Sequence, residues 1–323
     1  MERVPKRSIF VYLNTLKSYS MIKKQFTILG TALVLASGVF SACKNNETTD
    51  HKASSTTTVS NTGIGEAIDL KFKLPEGAKY QLKTNITQSM SSPQGKITNE
   101  MDMEFSYAAI GKETAHTLLE LTYDRIRMKM SGAGMPSMEM DTEKGTDEGT
   151  AALKKLIGQK LTMKVSPEGK VMDITGWEQM FTGKGNAGMS LDDIKQSMEL
   201  SMNIYPGQPV RVGDTWTINT VQRLNAISMN VANTFTLTEV KDNTATLDIS
   251  SEINPGDAPK DPAMAAIQME IRGTQKGTYK VDIATGMIKE GKLVQQMKAS
   301  SNKSKELSMD IESEIEFDAE VKK

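Results

Sequence analysis

A period of two runs through most of this chain and constrains its fold more than any other feature. Leu70, Phe72 and Leu74 alternate with lysines, and Tyr80, Leu82, Thr84 and Ile86 resume the pattern after "PEG". The same rule gives Met101, Met103, Phe105 and Tyr107; Leu119, Leu121 and Tyr123; Leu161, Met163 and Val165; Leu247 and Ile249; Tyr279, Val281 and Ile283; and Met309, Ile311, Ile315 and Phe317. Strict alternation marks strands with one face in water and the other in a core. Antiparallel sheets tolerate that arrangement, whereas wholly parallel ones are buried on both faces. The stretches "SPEGK" (166–170), "KDNTA" (241–245) and "DIATGM" (282–287) supply turn chemistry between such runs. The expected fold is therefore mainly β with a minor helical part. It is a meander of about ten to fourteen antiparallel strands, which accumulated twist turns into a large curled sheet, a partial barrel or two packed sheets.

Two stretches break the alternation. "TDEGTAALKKLIGQ" (146–159) has acidic residues early and lysines late, and Leu153, Leu156 and Ile157 fall on one helical face. Residues 176–207 predict two more short helices: Ser190 is placed to cap one, with Asp193 three residues on, and Ile194, Met198 and Met202 follow at helical spacing before Pro206. Burying these apolar faces puts two or three short helices over the concave face of the sheet. Residues 141–206 also separate two β-rich halves, which leaves a two-lobed arrangement open.

The N-terminus reads as an address. Lys23 and Lys24 precede an apolar run from Phe26 to Phe40, then Ser41, Ala42 and the chain's single cysteine, Cys43. A basic segment, an apolar segment and small residues make a secretory signal. The run is shorter than the roughly 20 apolar residues a spanning helix needs. The pattern resembles a bacterial lipoprotein signal peptide over residues 21–42, which implies that Cys43 is lipidated and becomes the first residue after cleavage. Phe40 stands where such signals usually carry Leu. Met21 is the better start, which makes residues 1–20 an upstream extension. Residues 43–66, rich in Ser, Thr and Asn, have too little apolar surface to order themselves and read as a tether. The β-rich domain is then 67–323. A lone cysteine also forbids an internal disulfide.

At "PGQPVRVGDTWTI" and "YKVDIATGMIKEG" the chain resembles a family of uncharacterised Gram-negative envelope lipoproteins of the kind common in Bacteroidetes. The likeness is carried by Gly213-Asp214-Thr215-Trp216 and by the hairpin Asp282 to Gly286. It implies an envelope location, lipid-anchored and on the outer membrane, and assigns no chemistry. In outline, a curled antiparallel sheet with helices on its hollow face also resembles the lipid-binding lipoproteins of bacterial envelopes, a likeness of fold alone.

Catalytic chemistry finds little support. A nucleophile needs a base beside it, yet His51 falls in the tether and His116 sits on the polar phase of its strand. No catalytic residue, resident metal or cofactor is assigned. A formal net charge of −1 gives no electrostatic reason to expect a nucleic-acid partner. Two other functions stay open. Paired carboxylates such as Asp192 with Asp193, or Glu312 with Glu314, could serve an envelope hydrolase if they flanked a cleft. The methionines of "MKMSGAGMPSMEM" (Met128, Met130, Met135, Met138, Met140) could hold Cu(I), although alternation places them as ordinary strand core. The favoured expectation is a non-enzymatic binding or structural module, partnered by the membrane through its lipid and by an envelope protein or a lipid-like ligand. Met163, Trp177, Met198 and Met202 are the candidate pocket residues. A binding hollow requires an apolar cavity between helices and sheet that these side chains leave unfilled.

Overall fold

The computed structural model describes residues 56–322 apart from 133, 177–194, 196–197, 200, 225–226, 258–268 and 304–306. Among the described residues the chain forms fifteen strands. They are β1 (Thr56–Ser60), β2 (Ile64–Ile68), β3 (Lys79–Ser92), β4 (Gly95–Glu113), β5 (His116–Gly132), β6 (Met135–Asp141), β7 (Lys160–Val165), β8 (Val171–Thr175), β9 (Val210–Val212), β10 (Thr215–Leu224), β11 (Ile227–Lys241), β12 (Thr244–Pro255), β13 (Met269–Asp282), β14 (Ile288–Ser301) and β15 (Met309–Val321). Thirteen make one antiparallel sheet in the order β1-β10-β11-β12-β13-β14-β15-β3-β4-β5-β7-β8, with β6 on the other half of β5, and β2 pairs with β9. The sheet is not closed. The pairing of β15 with β3 joins the N-terminal and C-terminal strands into one surface, and the main core draws on both halves.

The expected two or three helices are not matched. One short helix is described, α1 (Glu148–Lys154), capped by Asp147, whose carboxylate accepts from the Thr150 backbone N–H at 2.9 Å and from its hydroxyl at 2.6 Å. Helical backbone also occurs at Lys195, Met198, Glu199, Ser201 and Met202. Ser190 and Asp193 lie outside the described residues. The irregular chain at Asn203–Pro206, which follows Met202, is buried. Strand β1 (Thr56–Ser60) also falls inside the stretch read as tether. "TTTVS" is rich in β-branched residues and pairs along the whole of its length with β10.

Alternation breaks where the backbone does. On β5 the buried phase runs through Leu119, Leu121 and Tyr123, then jumps to Ile126, because a bulge opposite Glu104/Phe105 inserts one residue. Arg125 thereby points outward between strands, where it bonds Asp141 at 2.9 Å and lies 3.7 Å from Glu104. Arg127 bridges Asp102 and Glu139, each at 2.8 Å, on the same polar face.

Two apolar clusters fill the concave side. The larger is built around Leu70, Phe72, Leu119, Trp216, Phe235 and Leu247, with Leu153, Leu156 and Ile157 from α1 and the residues after it packing into it. The smaller joins Met90 of β3 to Ile227, Val231, Ile253, Ile271, Met297 and Ile311, so the sheet has curled far enough there for β3 and β11 to share a core.

Candidate functional site: the hollow of the sheet

The hollow is closed at one end by the chain from Met202 to Pro206. Trp216, at 1% exposure, donates its Nε1–H to the Ile204 carbonyl at 2.8 Å and stacks on Phe235, its cross-strand partner, with ring centroids 5.7 Å apart. Tyr205 donates its hydroxyl to the Gly286 carbonyl at 2.7 Å. Gly286 has φ +74, and a Cβ there would meet the Lys71 carbonyl oxygen at 2.1 Å, so the β13–β14 turn needs glycine. Asp282 shapes the same turn by accepting from the Thr285 N–H and hydroxyl, both at 2.8 Å. Asp214 anchors the opposite strut. One carboxylate oxygen accepts from the Gly63 N–H and the other from the Arg211 N–H, both at 2.7 Å. The Gly-Asp-Thr-Trp turn and the Asp282–Gly286 hairpin are thus the two supports of one strap.

Above the strap lies a cavity of about 180 Å³. Met202, Ile204, Tyr205 and Met287 form its base; Leu82, Phe235, Ile249, Leu293, Ile315 and Phe317 are among its walls. Tyr279 and Phe317 meet at 5.3 Å across Gly291, which is paired with both. A Cβ on Gly291 would reach the Phe317 ring at 2.1 Å, so the missing side chain makes room for the aromatic pair. None of the described lining side chains carries a formal charge. Burial pushes the Tyr107 phenol up to about 12, and raises Tyr205 and Tyr279 further, so all three stay neutral.

The expected pocket residues fare differently. Met202 lines the cavity. Met198 is half-buried and packs against the main core without being one of the lining residues. Met163 is fully buried on β7 within that core, opposite Ile174. Trp177 lies outside the described residues, as do Cys43, Asp192 and Asp193. His116 is half-buried at the β4–β5 turn, with Nδ1 3.3 Å from the Glu113 carbonyl. Glu312 and Glu314 are exposed on the outer face of β15, and Glu314 pairs with Lys292 at 2.7 Å. The methionines form a cross-strand ladder, Met128 opposite Met140 and Met130 opposite Met138, with Met138 55% exposed at the sheet edge. No group of three or more His, Cys, Asp or Glu suited to a metal ion occurs among the described residues. No described helix is long and apolar enough to cross a membrane, which leaves β-barrels unaddressed.

Sequence reasoning missed a row of uncharged polar residues running across the interior. Asn99, Gln88, Ser313, Gln295, Gln275, Ser251 and Asn233 are direct register partners on seven consecutive strands, from β4 to β11. Gln88, Ser251, Gln295 and Ser313 are 1–4% exposed. Along several strands the row separates the two apolar clusters: Ile86, Gln88, Met90 on β3; Ile249, Ser251, Ile253 on β12; Leu293, Gln295, Met297 on β14. Gln88 donates to the Ser313 hydroxyl at 3.1 Å, and Gln295 to Gln275 at 3.5 Å. Each strand shows only one or two polar residues in a core phase, Thr84 being the second on β3 and Ser301 on β14, and the row appears once the register is known.

The chain matches a family of unknown function (DUF6263) over residues 114–192 and 185–288, together more than half of its length. The chain belongs to this family. No curated protein matches it. Among solved structures, an outer membrane channel from Pseudomonas putida F1 is 8% identical, with a TM-score of 0.26, covering 77% of this chain and 97% of that one. A DUF1329 family protein from Desulfovibrio piger is 9% identical, with a TM-score of 0.15, covering 74% of this chain and 83% of its own. At these scores neither likeness carries weight for fold or function. The DUF6263 matches reach α1, the strap and both of its supports, so the described hollow lies largely within the family's matched region.

Proposed function

We propose that this DUF6263 protein is a lipid-anchored binding protein of the cell envelope that holds an apolar, lipid-like ligand in the hollow of its sheet and catalyses no reaction. The observation that carries the binding half is the cavity. It is concave, walled by aliphatic and aromatic side chains, and free of formal charge among its described lining residues, which is the character of a site for an apolar small molecule. At about 180 Å³ it suits one short tail or part of a longer one. The address half rests on Lys23, Lys24, the apolar run to Phe40 and Cys43. Two or more acyl chains give stable anchoring where one does not, and a diacylglyceryl group on Cys43 meets that condition. The outer membrane is the favoured location, with the β-domain on its periplasmic or surface side.

Native mass spectrometry of the protein extracted from its own host's envelope tests both halves. The expected result is an N-terminal peptide that begins at acylated Cys43, together with a non-covalent apolar molecule that Met202→Trp displaces. An unmodified thiol on a released protein overturns the anchor, and an empty hollow in every preparation overturns the binding role. The methionine ladder favours a second reading, capture of Cu(I) by thioethers. Titration of Cu(I) into the chain and into its Met130→Leu/Met138→Leu form tests it, and equal uptake by the two removes it.

A further inference from the structure

The polar row has no account as packing. It interrupts what would otherwise be one apolar core, and buried amides and hydroxyls cost stability unless their hydrogen bonds are made. Here they are made in part. The Gln88 Oε1 and Ser251 Oγ have no partner although their residues are 1% and 2% exposed. Ser251 lines the cavity with its row neighbours Asn233, Gln275 and Gln295. Native interiors rarely leave such groups unpaired, and a missing ligand or water is a regular reason when they do. The four lining members supply donors and acceptors and no charge. A carboxylate or phosphate placed against them would be desolvated without a cationic partner, which is far more costly than burying a neutral group.

We propose that the hollow selects uncharged amphiphiles. The ligand's hydroxyl, amide or ester group lies against Ser251, Gln275 and Gln295, and its hydrocarbon lies among Phe317, Tyr279 and Met202. This rests on the reading of the hollow as a binding site and adds the chemical class of what it takes and the orientation in which it is held. The register supports the orientation: Ser251 and Gln295 lie two residues from Ile249 and Leu293 respectively, and Gln275 lies four from Tyr279, so the row borders the aliphatic and aromatic lining along one side.

The test uses three ligands with one tail: octanamide, octanol and octanoate. They are titrated calorimetrically into the full chain carrying Cys43→Ser, which removes the acceptor for a competing acyl group. Octanamide and octanol bind at least about tenfold more tightly than octanoate, a ratio that corresponds to about 1.4 kcal/mol, the worth of one hydrogen bond. Ser251→Val with Gln295→Leu weakens octanamide and octanol by at least about tenfold, the worth of one hydrogen bond, while octanoate, still without a cationic partner, gains nothing. If that pair fails to fold, Gln275→Leu, on the strand between them, reports the same loss. Equal binding of the three ligands by the unsubstituted row overturns the selectivity and spares the hollow. Tighter binding of octanoate also overturns it. Binding of none of them overturns the hollow itself, and the inference falls with it.

Discussion

Asp214 ties the chain at Gly63 to the Arg211–Asp214 turn at the end of the β2–β9 pair, and replacing it by Ala removes both of these bonds at once. Its carboxylate is 1% exposed and takes the Gly63 and Arg211 N–H groups at 2.7 Å each. The chain around Gly63 is packed hard on the same turn: a Cβ there would meet the Val212 carbonyl oxygen at 2.6 Å. Water therefore has little room to replace the lost acceptor. Bonds to a charged acceptor contribute about 1.5–3 kcal/mol each, and two that share one carboxylate are not fully additive, so Asp214→Ala costs about 3–5 kcal/mol. For a domain of this size each kcal/mol lowers the melting temperature by about 2–4 °C, giving a fall of at least about 6 °C. Asp214→Asn, which keeps one acceptor, costs roughly half as much. The pH dependence has a defined sign. Burial raises the Asp214 pKa, but the N–H groups of Arg211, Gly63 and Thr62 and the charge of Arg211 outweigh it and hold the carboxyl below its ordinary 3.8. A depressed carboxyl contributes its stability above the unfolded pKa and loses it as pH falls through the folded one. The gap between the native chain and Asp214→Asn is full at neutral pH and closes below 3.8. Urea unfolding followed by circular dichroism from pH 7 downward measures it. If Asp214→Ala melts within about 2 °C of the native chain, or the gap widens in acid, the assignment of this turn as a structural clamp is wrong.

Two more substitutions probe the strap. Trp216→Phe keeps the ring stack on Phe235 but loses the bond to Ile204; it costs about 1–3 kcal/mol by thermal melt, and amide exchange at Met202, Ile204 and Tyr205 accelerates before global unfolding. Gly286→Val places a β-branched residue at φ +74 against the Lys71 carbonyl; the expected loss exceeds about 3 kcal/mol in urea unfolding, and one under about 1 kcal/mol means that the turn can relax freely.

The strands were legible because alternation and turn chemistry are local. Leu119, Leu121 and Tyr123 announce one face directly, and so do Ile311 and Ile315 with Ser313 passing between them. The phase jump from Tyr123 to Ile126 is visible in "TYDRIRM" only to a reader who already suspects a bulge. α1 was legible through Asp147, Glu148 and the apolar positions after them. The hollow was not, for two reasons. Part of its lining is irregular chain held by Trp216 and Tyr205, whose partners Ile204 and Gly286 lie 12 and 81 residues away, and no periodicity encodes such pairs. Its polar row is a property of register. Gln88 and Ser313 are 225 residues apart in sequence and 3.1 Å apart in space, and each by itself reads as a chance polar residue in a core phase. Methionine was misleading in the opposite way. Met163 sits at a core position on a strong alternating strand and serves as filler there, whereas Met202 lines the cavity because the strap carries it there.

The division of labour in the hollow bears on what family membership can tell. Gly213 to Trp216 and Asp282 to Gly286 are specific as sequence, and both are spent on backbone: one clamps Gly63 and Arg211, the other turns β13 into β14 and receives Tyr205. None of those nine residues is among the residues that line the cavity. The side chains that could discriminate a ligand, Ser251, Gln275 and Gln295, come from mid-strand positions of β12, β13 and β14, where any residue that fits the register is compatible with the frame. Exchanging one for Val or Leu leaves the strap, its two supports and the strand pairing intact. The recognisable motifs therefore serve the frame of the hollow, while on the proposed binding role the row would fix what it accepts. Two chains with the same two motifs and different rows are expected to share this fold and bind different molecules. On the proposed role, a chain of this family with an Arg or Lys in the row is expected to take an anionic amphiphile in place of a neutral one, because the cost of desolvating the anion would then be met by a partner.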